Sequence, residues 1–236
     1  MTSVLDDWNR LERWLGENFP EALADLNPGC NESALQTTEE KLGVTLPDSL
    51  KEVYRLHDGQ KTTDLPAPGI FYGVCFLPLT KMIYQWNGWS ETNEHIDKEG
   101  WRNRLDEFQT SFEPGKVRAI YSNNKWIPFA LLAENCYLGL DFDPAPGGVE
   151  GQVINFGREE EQKTVLADSF GEFLNGYVSE LERGNFLVAR TDRRVEFLPK
   201  ELAHRVLERR SPYLGVVATR FIDDGGFSIL RDIEEI

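Results

Sequence analysis

Between Leu42 and Gln60 the chain reads Leu-Gly-Val-Thr-Leu-Pro-Asp-Ser-Leu-Lys-Glu-Val-Tyr-Arg-Leu-His-Asp-Gly-Gln, and its punctuation sets where a helix begins and ends. Pro47 suits a helix start, where its missing N–H costs nothing. Asp48 falls in the first turn, where the helix dipole favours negative charge. Leu50, Val53, Tyr54 and His57 follow at helical spacing, and Gly59 offers a left-handed stop. A short amphipathic helix closed at both ends is the expectation, with His57 packed on its apolar face.

The flanking segments extend this pattern. Val4, Trp8, Leu11 and Leu15 line one face of a first helix, which Phe19-Pro20 ends or kinks. Asn31 or Ser33 caps a second helix, Gly43 stops it, and the short gap to Pro47 predicts that the two pack as neighbours. Ile70, Tyr72, Val74 and Phe76 alternate as in a strand. Leu79 to Trp89 reads as a short helix, with Met82, Ile83 and Trp86 toward the core. Glu91 to Gly115 reads as a polar insertion with a weak helical stripe at Trp101, Leu105 and Phe108. Tyr137 to Asp143 and Gln152 to Phe156, joined by Pro144 to Gly151, predict an antiparallel hairpin. Ser169, with Glu172 three residues on, opens another helix. Further on, Asn185 to Arg190 reads as a strand, Pro199 to Arg210 as a helix, Tyr213 to Phe221 as β-like and Asp223 to Gly226 as a turn.

Several of these pieces stand in the order of a known family. Leu42 to Gln60 resembles the "LG-x-x-LP … DGQ" signature of the SUKH superfamily, which includes the yeast Smi/Knr cell-wall assembly regulators and many bacterial immunity proteins. Trp-Ile-Pro-Phe-Ala from Trp126, Leu-Asp-Phe-Asp-Pro-Ala-Pro-Gly-Gly from Leu140, and Ala-Asp-Ser-Phe-Gly-Glu-Phe-Leu from Ala167 follow in the family's order. The resemblance implies an α+β fold: a twisted, mainly antiparallel sheet covered by helices. It reaches to Leu181. Residues 1–181 are therefore expected to form a SUKH-like domain, and residues 182–236 an additional C-terminal α/β segment packed on it. The resemblance also implies protein binding rather than substrate turnover.

Composition narrows the function. The net charge is −15, yet from Glu180 onward eleven acidic residues face ten basic ones, so the acidic field belongs to the first three quarters of the chain. Such a field argues against general nucleic-acid binding, which relies on Lys and Arg at phosphates. It favours fast capture of a basic partner. The longest apolar stretch, Trp126 to Ala133, is far below the ~20 residues needed to span a bilayer. The N-terminus has no basic or apolar leader, and the cytoplasm is the simplest placement. Cys30, Cys75 and Cys136 are odd in number and widely spaced, as expected of reduced thiols without a disulfide framework or metal clip.

Each chemistry-bearing residue also has a structural reading. Asp141 and Asp143, two apart on a strand, would share a face and could divide acid and base roles. Asp143 before Pro144 can equally brace a turn, which is the preferred reading. His57, His95 and His204 lack metal-ligand spacing. Cys136 has no evident base, and Gly147 to Gly151 lacks the ending of a phosphate loop. No cofactor or metal is expected. Trp86, Trp89 and Trp101 bracket the acidic residues Glu91, Glu94, Asp97 and Glu99. Trp86 is expected in the core and Trp89 either in the core or at an interface. The expected partner-binding set is Trp89, Glu91, Glu94, Asp97, Asp141, Asp143, Glu150, Glu159 and Glu160. The leading functional expectation is an immunity protein that neutralises a basic toxin by stoichiometric binding. The alternative is a regulatory scaffold of the cell-wall assembly regulator type, and a third reading is a carboxylate enzyme using Asp141 and Asp143.

Overall fold

Ser3 opens helix α1 (Val4–Asn18) through a capping box: its Oγ accepts the Asp6 N–H at 3.1 Å, and the Asp6 carboxylate accepts from the Ser3 backbone. Phe19 ends α1 and Pro20 starts α2 (Pro20–Ala24). Asn31 caps α3 (Glu32–Leu42) by accepting the Ala34 N–H at 2.9 Å, and Gly43 stops it at φ 64°. Helix α4 (Asp48–Leu56) follows Pro47 and buries Leu50, Val53 and Tyr54. These four helices match the sequence reading closely, because cap, proline and glycine signals are local. The computed structural model describes residues 3–62, 69–132, 135–158, 160–190 and 195–199.

Two details of the α4 segment differ from expectation. The helix ends at Leu56, and His57 is extended, with its ring nitrogens bonded to the Asn27 carbonyl oxygen and to Glu12 Oε1. Gly59 (φ +66°) is therefore not the helix stop. A Cβ there would lie 2.2 Å from the Pro78 nitrogen, so its role is to let two backbones cross. The neighbours of Gly59 are structural clips. Asp58 Oδ1 accepts the Leu79 N–H at 2.8 Å, and the buried Gln60 Oε1 accepts the N–H groups of Ile70 and Phe76. Helices α3 and α4 are joined by the Arg55–Glu32 and Lys51–Glu39 ion pairs. The main helix neighbour of α3, however, is α5 (Leu79–Lys98), while α4 lies against α1 and α7 (Phe170–Glu182).

The expected strand at 70–76 is mostly a tight turn. Phe71 and Val74 exchange hydrogen bonds around Tyr72 (φ 53°) and Gly73 (φ 82°), leaving only β1 (Cys75–Phe76) as strand. The turn drives Tyr72 into contact with Tyr177 and Phe173. A short helix α6 (Arg102–Asp106) and β2 (Thr110–Ser111) precede β3 (Trp126–Leu132). The predicted hairpin is present as β4 (Cys136–Asp141) and β5 (Gln152–Gly157). Then come β6 (Gln162–Lys163) and β7 (Val165–Ala167). Ser169 caps α7 by accepting the Glu172 N–H at 3.2 Å. Strands β8 (Phe186–Arg190) and β9 (Val195–Pro199) pair antiparallel. Phe186 sits 5.1 Å from the Tyr72 ring, inside the main core. The helix expected from Pro199 and the later elements lie outside the described residues.

The five-stranded sheet runs β1-β3-β4-β5-β7, every neighbour antiparallel, so the fold is α+β as expected. A second, two-stranded parallel pairing joins β2 to β6. Period-two alternation divides the large sheet into two faces. Ile127, Phe129, Leu138, Leu140 and Val153 join the large core under α1, α3, α4 and α7. Trp126, Tyr137, Ile154 and Phe156 form a smaller core with Trp89 and Val117 on the other side. Gly139 permits this second layer: a Cβ there would lie 2.5 Å from the Phe156 ring. Phe71 is the hub of the first core, with Trp8, Phe76, Phe129, Phe173 and Tyr177 rings around it at 5.5 to 6.4 Å.

Candidate functional site

Helix α5 carries four of the nine expected binding residues: Trp89, Glu91, Glu94 and Asp97. It begins at Pro78, braced by Asp58, and runs to Lys98, well past the Trp89 end read from sequence. Leu79 and Met82 enter the large core, and Trp89 the small one. The helix therefore bridges the two cores. Its outer side carries Glu91, Glu94 and Asp97, all exposed and spaced three apart along one stripe. Asp97 is paired with Arg102 at 2.8 Å, which holds its carboxyl below the usual range.

Of the two places expected for Trp89, the structure shows the core. Trp89 is only 5% exposed and packs against Tyr121, Tyr137 and Phe156 at 5.8 to 6.1 Å. Its ring is thus a wall of the core and offers a partner little surface. Trp86 is partly buried and donates from Nε1 to the Asn124 carbonyl oxygen at 2.8 Å. The exposed indole is Trp101, at 48%, with His95 edge-on to it at 5.3 Å. Tyr84, at 69%, is an exposed ring on α5 itself. Between α5 and the Asn135, Tyr137 and Arg158 end of the β4–β5 pair lies a cleft of about 660 Å³.

Asp141 and Asp143 do not form an open pair. Asp141 is fully buried at the end of β4, in register with Trp126 on one side and Gln152 on the other. Its Oδ1 accepts from Trp126 Nε1 (3.1 Å) and the Asp143 N–H (2.9 Å), and its Oδ2 accepts from Gln152 Nε2 (2.9 Å). Burial pushes its pKa up to about 6 against the pull of these three donors. Such a carboxylate cannot meet a partner directly. It instead fixes the base of the hairpin loop. Asp143 lies beyond the strand and faces Arg118 (2.9 Å) and Asn123 (2.9 Å), partly open to solvent. Glu150, on the same loop, is exposed.

Glu159 lies outside the described residues. Glu160 is nearly buried and accepts from Asn155 Nδ2 at 2.6 Å. Beside it is Lys163, which no sequence pattern singles out: it is fully buried, and its Nζ donates to Gln109 Oε1 (2.6 Å) and to the Glu160 carbonyl oxygen. Desolvation lowers its pKa to about 8. A lone lysine in a two-residue strand carries no sequence signal of burial, since its partners lie on other segments. Cys75 and Cys136 are buried and Cys30 half-buried, all three unlinked. Among the described residues no group of three or more His, Cys, Asp or Glu is placed to hold a metal ion. Also among them, no helix is long and apolar enough to cross a membrane.

Comparison with known proteins places this architecture. Residues 29–176 match the SMI1 / KNR4 family (SUKH-1). The chain is 32% identical over 193 residues to the cell wall biosynthesis/cell cycle regulator smi1 of Schizosaccharomyces pombe, covering 80% of this chain and 38% of the relative. It is 29% identical over 211 residues to the glucan synthesis regulatory protein of Neurospora crassa, covering 78% and 40%. It is 28% identical over 213 residues to the cell wall assembly regulator SMI1 of Saccharomyces cerevisiae, covering 79% and 42%. The chain thus spans about two fifths of the length of these relatives. The matched segment runs from the loop before α3 into α7 and includes the clips at Asp58 and Gln60, the whole of α5 and the five-stranded sheet. The chain belongs to the SMI1/KNR4 (SUKH-1) family of the SUKH superfamily.

Proposed function

We propose that this chain is a non-enzymatic regulatory module that works by binding a basic protein partner on the outer face of α5. The observation that carries the reading is the exposed stripe Glu91, Glu94 and Asp97 beside the exposed Tyr84 and Trp101 rings, in a chain of net charge −15. Acidic groups steer a basic partner, and aromatic rings slow its release. Asp143 and Glu150, on the β4–β5 loop, supply a second acidic contact. In this reading residues 1–181 are the binding unit, residues 182–236 are an extension of it, and the work is done in the cytoplasm.

The names of the relatives support the regulatory alternative over toxin neutralisation: they are called regulators of cell wall assembly, cell wall biosynthesis and glucan synthesis. Neutralising a basic toxin would use the same acidic face, so the partner's identity separates the two. The test is affinity capture from cell extract with the wild-type chain and with the Glu91→Lys/Glu94→Lys double variant. Asp97 is left intact because it is paired with Arg102. The regulatory reading expects basic partners that disappear with the double variant while its thermal unfolding is unchanged. Equal capture by both chains would overturn the α5 face. A single partner that kills cells when expressed without this chain would favour immunity.

A further inference from the structure

The cleft beside Trp89 is rich in donors and walled with rings. Tyr84 and Tyr121 contribute aromatic surface, backed by the buried rings of Trp89 and Tyr137. The Tyr137 hydroxyl engages Gln85 Oε1 (2.9 Å) and Asn135 Oδ1 (3.3 Å), which leaves the NH2 groups of both amides as donors. Nε1 of Trp89 is buried in the wall and finds no acceptor among the described residues. A native buried N–H without a partner calls for an explanation.

Gly88 is a second, independent sign. It sits inside the 20-residue helix α5, where glycine weakens the helix relative to alanine. No packing requires it: a Cβ built at Gly88 meets nothing within 4 Å. It lines the same cleft, so any side chain there would project into space the cleft keeps open.

We propose that this cleft binds a proline-rich segment in the polyproline II conformation, with a flanking Lys or Arg at Glu91. Proline offers ring surface to aromatic walls and carbonyl acceptors without N–H donors, which complements a donor-rich, aromatic cleft. Glu91 is the acid in the lining, and Glu94 and Asp97 continue the negative stripe along α5. The inference rests on the reading of the chain as a protein-binding module and names the chemistry of the partner.

The test is an array of Pro-X-X-Pro peptides with Arg or Lys flanks, against Gly/Ser peptides of equal length and charge, probed with the full chain. Binding concentrated on the proline-rich basic peptides is expected. Three variants locate it. Gly88→Leu fills the cleft with a better helix former and should weaken binding about ten-fold or more, with an unchanged or higher melting temperature. Tyr84→Ala removes an exposed ring and should weaken binding several-fold at unchanged stability. Trp89→Phe keeps a ring and removes the N–H; it loosens the small core, so its binding is measured well below its melting temperature, where it should be several-fold weaker. Equal signals from the Gly/Ser peptides, or wild-type binding by Gly88→Leu, would overturn the proposal. If partners are still captured from extract while the array stays blank, this inference fails and the protein-binding reading stands. If capture fails too, that reading falls with it.

Discussion

Replacing Asp141 by Asn removes one titration from the interior and should change how stability responds to pH. Three N–H donors converge on the carboxylate, and the side chain is fully buried. Burial wins, and the folded-state pKa rises from 3.8 to about 6. A group whose pKa is raised on folding lends stability that is complete below its unfolded value and lost as pH rises through its folded value. For values of 3.8 and about 6, that contribution is roughly 2 kcal/mol at pH 4.5 and close to zero at pH 7.5. Asn does not titrate. Its NH2 must also face a donor, since turning Gln152 around to accept would break the bonds Gln152 makes to Val149 and Lys116. The variant should therefore be less stable than wild type at both pH values, by about 1–3 kcal/mol at pH 7.5 and by roughly 2 kcal/mol more at pH 4.5. Urea unfolding of both chains at the two pH values measures this directly. Parallel pH profiles would refute the argument, as would a gap that widens toward alkaline pH.

Other consequences are simpler. Lys163 has its folded pKa lowered from 10.5 to about 8, so its burial costs stability below pH 8 and the cost fades as pH rises toward 10.5; Lys163→Met should abolish that alkaline rise in chemical denaturation. Phe71→Ala empties the hub of the large core and should cost about 3–5 kcal/mol in urea unfolding. Gly59→Ala places a Cβ 2.2 Å from the Pro78 nitrogen at φ +66° and should cost more than about 2 kcal/mol, whereas Gly88→Ala, with open space around it, should raise the melting temperature.

The parts of this fold legible in sequence are those whose signals are local. Asn31 and Gly43 bracket α3 and Ser169 starts α7, because a cap is decided by residues within one turn. The β4–β5 hairpin was visible because both strands and their turn are contiguous. Tyr72 shows the opposite case. Its alternating neighbours read as a strand, but packing against Tyr177 and Phe173 holds it at positive φ in a turn. Leu79 to Trp89 reads as a short helix, yet α5 runs on to Lys98, with Trp89 packed in the second core and Ile96 buried beyond it. Long-range packing likewise decides between core and interface for Trp89 and leaves Trp101 exposed. Asp58-Gly-Gln stands in the sequence only as the end of the family signature. Its side chains clip α4, α5 and β1 together, contacts that no spacing rule contains.

In the proposed role the acidic outer face of α5 recruits a basic partner. The decisive measurement is the association rate constant for a captured partner, followed across a range of ionic strength for wild type and for Glu91→Lys/Glu94→Lys. Electrostatic steering predicts a rate that falls steeply with added salt for wild type, and a slower, flatter profile for the double variant. A wild-type rate indifferent to salt, or one unchanged by the two charge reversals, would contradict it.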